Sequence, residues 1–223
     1  MNLGKWGIGL AVALNLTGTA IAQDAETPVA AQNGATAQPS ACELHVFPTT
    51  EGQAQTTSLL SGMGVLGAVA DAASHKGKNV SDAEYLRDAL GPQMQMEALQ
   101  SVDLPAELSM PADTQIVYET PIADRKITTK AKTRLSDSSA PCYAELVITQ
   151  NLYQKKMIYG RSLNNRFIFK DFRDGVQKAK LVKGRGGNGL SHFPPENEDG
   201  IEAADADLRE AFVKNFLEYS KKI

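Results

Sequence analysis

Apolar and polar residues alternate over several short stretches of the chain, and each such stretch predicts a β-strand. The first is Cys42-Glu43-Leu44-His45-Val46-Phe47, stopped by Pro48. Gln115-Ile116-Val117-Tyr118-Glu119 is short and β-branched. Ala144 to Tyr153 is stronger, with Leu146 and Ile148 on one face and Val147 and Thr149 on the other. Met157-Ile158-Tyr159 and Arg166 to Phe172 follow. Simple alternation does not put Phe167, Phe169 and Phe172 on one face, which predicts a strand covered on both sides or bulged. Lys126 to Leu135 alternates weakly and reads as an exposed edge or a hairpin arm. Val176 to Asp199 is the least regular part, and its Gly-rich run Lys183 to Gly189 reads as a mobile surface loop.

A longer period marks the helices. Ser58 to Ala73 is apolar and rich in Gly and Ala, and predicts a buried helix despite Gly62, Gly64 and Gly67. Ser81 and Glu84 have the spacing of a capping box, opening a helix that reaches Leu90 and stops at Gly91-Pro92. Gln93 to Val102 predicts another short helix. The chain closes on an amphipathic helix starting between Ala203 and Asp207, with Leu208, Ala211, Phe212, Asn215, Phe216 and Tyr219 along one face. Acids in its first turns and Lys221 and Lys222 in its last suit the helix dipole. The expected fold class is α+β (or α/β): a single domain with a mixed sheet, helices packed on it and a C-terminal amphipathic helix.

The amino-terminal residues change the picture of where the protein works. Lys5, the apolar stretch Trp6 to Leu16 and the small residues Ala20-Ile21-Ala22 follow the plan of a cleavable signal peptide over residues 1–22. That apolar run falls short of the roughly 20 residues needed to span a bilayer. Residues 23–40 hold little that could fill a core and read as a disordered leader. The domain is then 41–223, in an exported protein of the periplasm or cell envelope. Cys42 and Cys142 are the only cysteines. An even count in an exported chain predicts a disulfide between them, joining the starts of two strands. The spacing lacks the C-x-x-C pattern of a redox pair.

Charge and motifs narrow the chemistry. A formal net charge of −3 makes no electrostatic case for nucleic acid. His45, His75 and His192 have no metal-ligand spacing, and no cofactor motif is present. His45 alternates with core positions and reads as an ordinary solvent-side residue. Gly184 to Gly189 is no P-loop, although its amides with Lys183 and Arg185 could cradle an anion. Arg161, Arg166, Lys183, Arg185 and His192 are therefore the candidate ligand-binding residues. His192 is also the candidate for a hydrolase reading, with no recognisable nucleophile beside it.

The second half of the chain runs from a strand, through a strand ending in Lys170-Asp171-Phe172-Arg173-Asp174-Gly175, to a loop and Ala211-Phe212-Val213-Lys214-Asn215-Phe216. This order, over roughly residues 140 to 220, resembles the periplasmic α/β domain of curli-secretion-type envelope accessory proteins. The chain departs from that pattern in showing no lipobox and no amphipathic hairpins of a membrane barrel. The resemblance implies a protein-binding or assembly role and carries over no catalytic residues. The expected contacts are an envelope protein partner and a peripheral association with the outer membrane. The expectation is a non-catalytic exported accessory. The alternatives are a binding module for a small anionic or polysaccharide ligand and, behind it, a hydrolase.

Overall fold

The computed structural model describes residues 42–50, 52–57, 85–156, 158–173 and 179–223. The expected signal peptide (1–22), leader (23–40), helix over 58–73, capping box at 81–84 and Asp174-Gly175 turn lie outside the described residues. One mixed sheet organises the rest. Its strands are β1 (Glu43–Phe47), β2 (Gly52–Thr57), β3 (Gln115–Tyr118), β4 (Tyr143–Lys156), β5 (Gly160–Asp171) and β6 (Lys180–Leu190). The order is β3-β1-β4-β5-β6. β1 lies parallel between β3 and the first half of β4, and β2 runs parallel to the second half of β4. β4, β5 and β6 form an antiparallel meander. The fold is an α+β single domain, as the sequence pattern predicts.

Among the described residues four helices accompany the sheet: α1 (Pro92–Gln100), α2 (Leu104–Glu107), α3 (Arg125–Lys130) and α4 (Ile201–Ser220). A helical turn over residues 85–89 precedes α1. The terminal helix buries the predicted face, Leu208, Ala211, Phe212, Asn215, Phe216 and Tyr219, together with Ala204. These side chains meet Leu44, Val46, Ala144, Leu146, Ile148, Phe167 and Phe169 from one face of the sheet. Phe167 is the hub, stacked on Tyr219 at 5.2 Å between centroids and edge-on to Phe212 and Phe216 at 5.7 Å. Burying each such ring contributes roughly 1.5–3 kcal/mol.

The second face is thinner. Phe47, Val147 and Ile168 lie under Ile122, Leu135 and Leu181. Of the two explanations for the Phe167-Phe169-Phe172 pattern, cover on both sides holds, and β5 itself is not bulged. Phe167 and Phe169 face α4, while Phe172 packs on Tyr143 at 5.5 Å. The bulge falls on the partner strand, between Ile148 and Gln150 of β4.

Three expectations need correction. Lys126 to Leu135 is not a strand: Arg125–Lys130 is helical, N-capped by the Asp124 carboxylate accepting from Lys126 N. The β-branched Ile127-Thr128-Thr129 mimics a strand, but buried Thr128 beside exposed Ile127 fits one helical face. Of the expected strand Met157-Ile158-Tyr159, Met157 lies outside the described residues, and Ile158 and Tyr159 form the turn of the β4–β5 hairpin. The Gly-rich run is not a surface loop but the middle of β6, Lys180–Leu190. Its glycines answer to packing. A Cβ at Gly184 would sit 2.4 Å from the Tyr219 ring, and one at Gly186 would sit 2.3 Å from Asn215 O. Missing side chains let α4 approach β6 closely.

The predicted disulfide is present. Cys42 and Cys142 stand 4.6 Å apart at Cα, at the starts of neighbouring strands β1 and β4. Such a bond belongs to an oxidising, exported setting. Among the described residues no helix is long and apolar enough to cross a membrane.

Candidate functional site

The antiparallel register of β5 and β6 sets Arg166 opposite Arg185 and Ile168 opposite Lys183. Side chains alternate along a strand, so Arg166, Lys183 and Arg185 project from the face opposite α4. There α3 adds Arg125 and Thr129, and the bulge in β4 adds Thr149. The result is an open groove of about 450 Å³ floored by Ile168 and walled by these side chains. Among the described residues, Arg125, Arg166, Lys183 and Arg185 make no ion pair with a carboxylate. Lys183 Nζ is 3.4 Å from Thr129 O, a long contact. Four exposed cations held on rigid strands and a short helix concentrate positive potential over one patch.

The structure therefore brings together Arg166, Lys183 and Arg185 from the predicted set and separates Arg161 and His192 from them. Arg161 donates to Ser191 O at 2.9 Å and Pro194 O at 3.3 Å, beside a smaller groove that His192 and Glu196 also line. The His192 side chain has no hydrogen-bond partner among the described residues. Its backbone N–H is one of three, with those of Ser191 and Phe193, held by Asp207 Oδ2 at 2.7–3.0 Å. That arrangement anchors the loop on α4. The anion cradle expected from glycine amides is likewise absent as such, because those amides lie in a strand. Gly187 N donates to Glu218 Oε2 of α4 at 3.3 Å, which places a carboxylate against it.

Sequence reasoning missed a second cluster at the other edge of the same face. His45 is not solvent-side: it is 5% exposed, with Nδ1 2.6 Å from Glu119 Oε1 and Nε2 3.0 Å from Glu43 Oε2. Glu43 also accepts from Ser138 Oγ at 2.5 Å. Hydrogen bonds from His45 and Ser138 hold the Glu43 carboxyl below its ordinary value, against a smaller opposing effect of burial. These residues line an open cavity of about 790 Å³ with Gln115, Val117 and the 136–141 segment. Glu43 and His45 share a face by their i, i+2 spacing, which the sequence does show. The arrival of Glu119 depends on the β1–β3 pairing, which it does not. Among the described residues no group of His, Cys, Asp and Glu is arranged to hold a metal ion.

Between the two clusters lies a buried ion pair. Glu145 on β4 and Lys170 on β5 are register partners, 0% and 1% exposed, with Oε2 and Nζ 3.0 Å apart. The two atoms are close but not aligned for a hydrogen bond, and neither has another partner among the described residues. Glu145 Oε1 instead accepts from Leu135 N at 2.5 Å and from the Tyr143 hydroxyl at 2.9 Å. Burial pushes the Tyr143 phenol well up from its usual value. Arg134 lies over the Tyr143 ring at 4.3 Å and donates to Ser138 O and Ala140 O. Residues 131–142 are thus tied down across this face as a strap, of which 136–141 wall the acidic cavity.

No protein-family model matches the chain. No curated protein matches it in sequence. Among solved structures it is similar to the hypothetical protein CT253 from Chlamydia trachomatis, at 12% identity and a TM-score of 0.30, covering 81% of this chain and 98% of that one. A structure described as an uncharacterized protein is 7% identical with a TM-score of 0.30, covering 77% of this chain and 85% of that one. Likenesses this slight carry no argument about fold or function.

Proposed function

We propose that this is an exported, non-catalytic accessory of the cell envelope that binds an acidic partner protein, and that the groove between α3, β5 and β6 is where it binds. One observation carries the reading: Arg125, Arg166, Lys183 and Arg185 line one groove with no carboxylate in its walls. Cations left unpaired on a fixed surface steer an acidic partner and set its register. The disulfide supports an extracytoplasmic setting, and the signal-like residues 1–22 point the same way. The likeness to curli-secretion-type domains is part of the same proposal. It draws support from the sequence order of strands followed by a terminal helix.

The test is cross-linking in intact cells that express a tagged copy, beside the variant R166E/K183E/R185E. Capture of one dominant envelope protein by the parent and its loss from the variant is the expected result. Equal capture by both removes the groove from the reading. A second reading, a small anionic or polysaccharide ligand, is favoured by the volume of about 450 Å³, which lies in the range of small-molecule sites. Calorimetric titration with a sulfated oligosaccharide separates the two, because only the second reading expects heat that K183A/R185A abolishes.

A further inference from the structure

The turn that joins β4 to β5 exposes two large side chains next to one another. Ile158 is 85% exposed and Tyr159 82% exposed, more than any other large hydrophobic side chain among the described residues. Gly160 follows at φ +71°, a left-handed conformation that closes the turn and turns its back on the domain, with nothing within 4 Å of where a Cβ would be. Single exposed apolar residues are ordinary, but an adjacent pair at the turn of a long hairpin makes an exposed apolar patch. The charges along the hairpin itself have one sign. Lys155 and Lys156 precede the turn and Arg161 follows it, with no acid in residues 150–165. The chain also leaves β2 at this end: Thr57 pairs with Lys156, and the residues that follow, Ser58 to Ala73, are apolar in sequence.

We infer that this hairpin tip, Ile158 and Tyr159 flanked by Lys155, Lys156 and Arg161, is a contact for an anionic lipid surface. The chemistry of each part fits that occupant. Tyrosine is favoured where one end of a side chain is apolar and the other wet, as at a membrane interface. Isoleucine adds burial among acyl chains. Lys156, on its apolar stem, reaches lipid phosphates at a charged leaflet. An acidic protein surface would match the positive charge but would leave two large apolar side chains without a matching pocket. The contact is peripheral, since a two-residue wedge anchors reversibly. It is independent of the basic groove, which lies further along β5 at Arg166.

The experiment is co-sedimentation of the protein, expressed from its full-length gene, with vesicles of phosphatidylcholine alone or with phosphatidylglycerol added. The parent, I158S/Y159S, K156E and R166E/K183E/R185E are compared. The expected result is binding to the anionic vesicles, weakened roughly tenfold or more by I158S/Y159S and reduced by K156E and by added salt. The groove variant should keep at least part of that binding. Equal binding by I158S/Y159S and the parent overturns the inference, as does no binding by the parent. Loss confined to the groove variant overturns it too, and assigns the lipid contact to the groove. Circular dichroism and thermal unfolding of the tip variants should match the parent, because Ile158 and Tyr159 contribute little to the core.

Discussion

Gly186 of β6 lies directly beneath Asn215 of α4: a methyl group at residue 186 would sit 2.3 Å from the Asn215 carbonyl oxygen and 2.4 Å from its Cα. Those atoms are backbone and have no rotamer to escape into, so strand and helix must separate to admit any side chain. Gly186→Ala should therefore destabilise by about 1–3 kcal/mol, the usual range for overpacking. Gly189→Ala is the control, since its Cβ would meet only Arg161 O at 3.8 Å. Urea midpoints measured on both variants should fall for the first and stay near the parent for the second.

Asn215 is also one end of a buried polar chain that crosses the core. Its Nδ2 donates to Leu163 O at 2.9 Å and to Asn165 Oδ1 at 2.6 Å. Asn165 Nδ2 donates to Asn151 Oδ1, and Asn151 Nδ2 to Leu90 O, each at 2.7 Å. Asn188 Nδ2 completes the set on Asn215 Oδ1 at 2.7 Å. All three core asparagines are 0% exposed. Removing the middle one leaves Asn151 Oδ1 without its donor and Asn215 Nδ2 with Leu163 O alone. Asn165→Ala should cost on the order of 1–3 kcal/mol per orphaned group, more than the loss of one average hydrogen bond. A denaturation midpoint close to that of the parent would mean that water replaces the amide.

The contrast between these residues shows what the sequence carries. Position 215 falls on the apolar stripe of the terminal helix by spacing alone, so its burial is legible. Its partners are not, because Asn151 and Asn165 meet it only through the β4–β5 register. The same holds for the basic groove. Arg166, Lys183 and Arg185 are visible as basic residues, but their convergence needs Gly184 and Gly186 to be strand, and glycine runs signal loop. Glycine here marks close helix approach, a tertiary cause that no local pattern reveals. Conversely, Cys42 and Cys142 were readable as a bridge because two cysteines permit one pairing.

The Glu145–Lys170 pair supplies a double-mutant test. Buried charges pay desolvation twice and recover it only with good geometry, and here Oε2 and Nζ face each other without a hydrogen bond. Lys170→Met should destabilise by roughly 3–5 kcal/mol, because the Glu145 carboxylate stays buried without its cation. Glu145→Gln with Lys170→Met should recover much of that loss, since a neutral amide can still accept from Leu135 N and Tyr143. Unfolding free energies of the two singles and the double give the coupling directly. A double variant no more stable than Lys170→Met would show that the pair acts through packing, not charge.

The His45 cluster ties β1 to β3 and to the strap, and its Glu43 makes that tie sensitive to acid. Glu43 sits on β1, Glu119 just beyond β3, and Ser138 in the strap, and all three meet through His45 or Glu43. Around them Arg134 is the remaining charge that acts on Glu43, while Asp137 lines the same cavity. Because the folded state lowers the Glu43 pKa from 4.5, its stabilisation is fully present above that value and disappears as pH falls through the folded one. Glu43→Gln should therefore lower the melting temperature at neutral pH, with a gap to the parent that narrows steadily below pH 4.5 and closes in stronger acid. Asp171, lowered by its hydrogen bond with Arg173, contributes a slope of the same sign. Thermal melts at stepped pH on the parent, Glu43→Gln and Asp171→Asn distinguish the two contributions. A gap at Glu43 that stays constant through the acid range would show that the carboxylate is held by shape and not by charge.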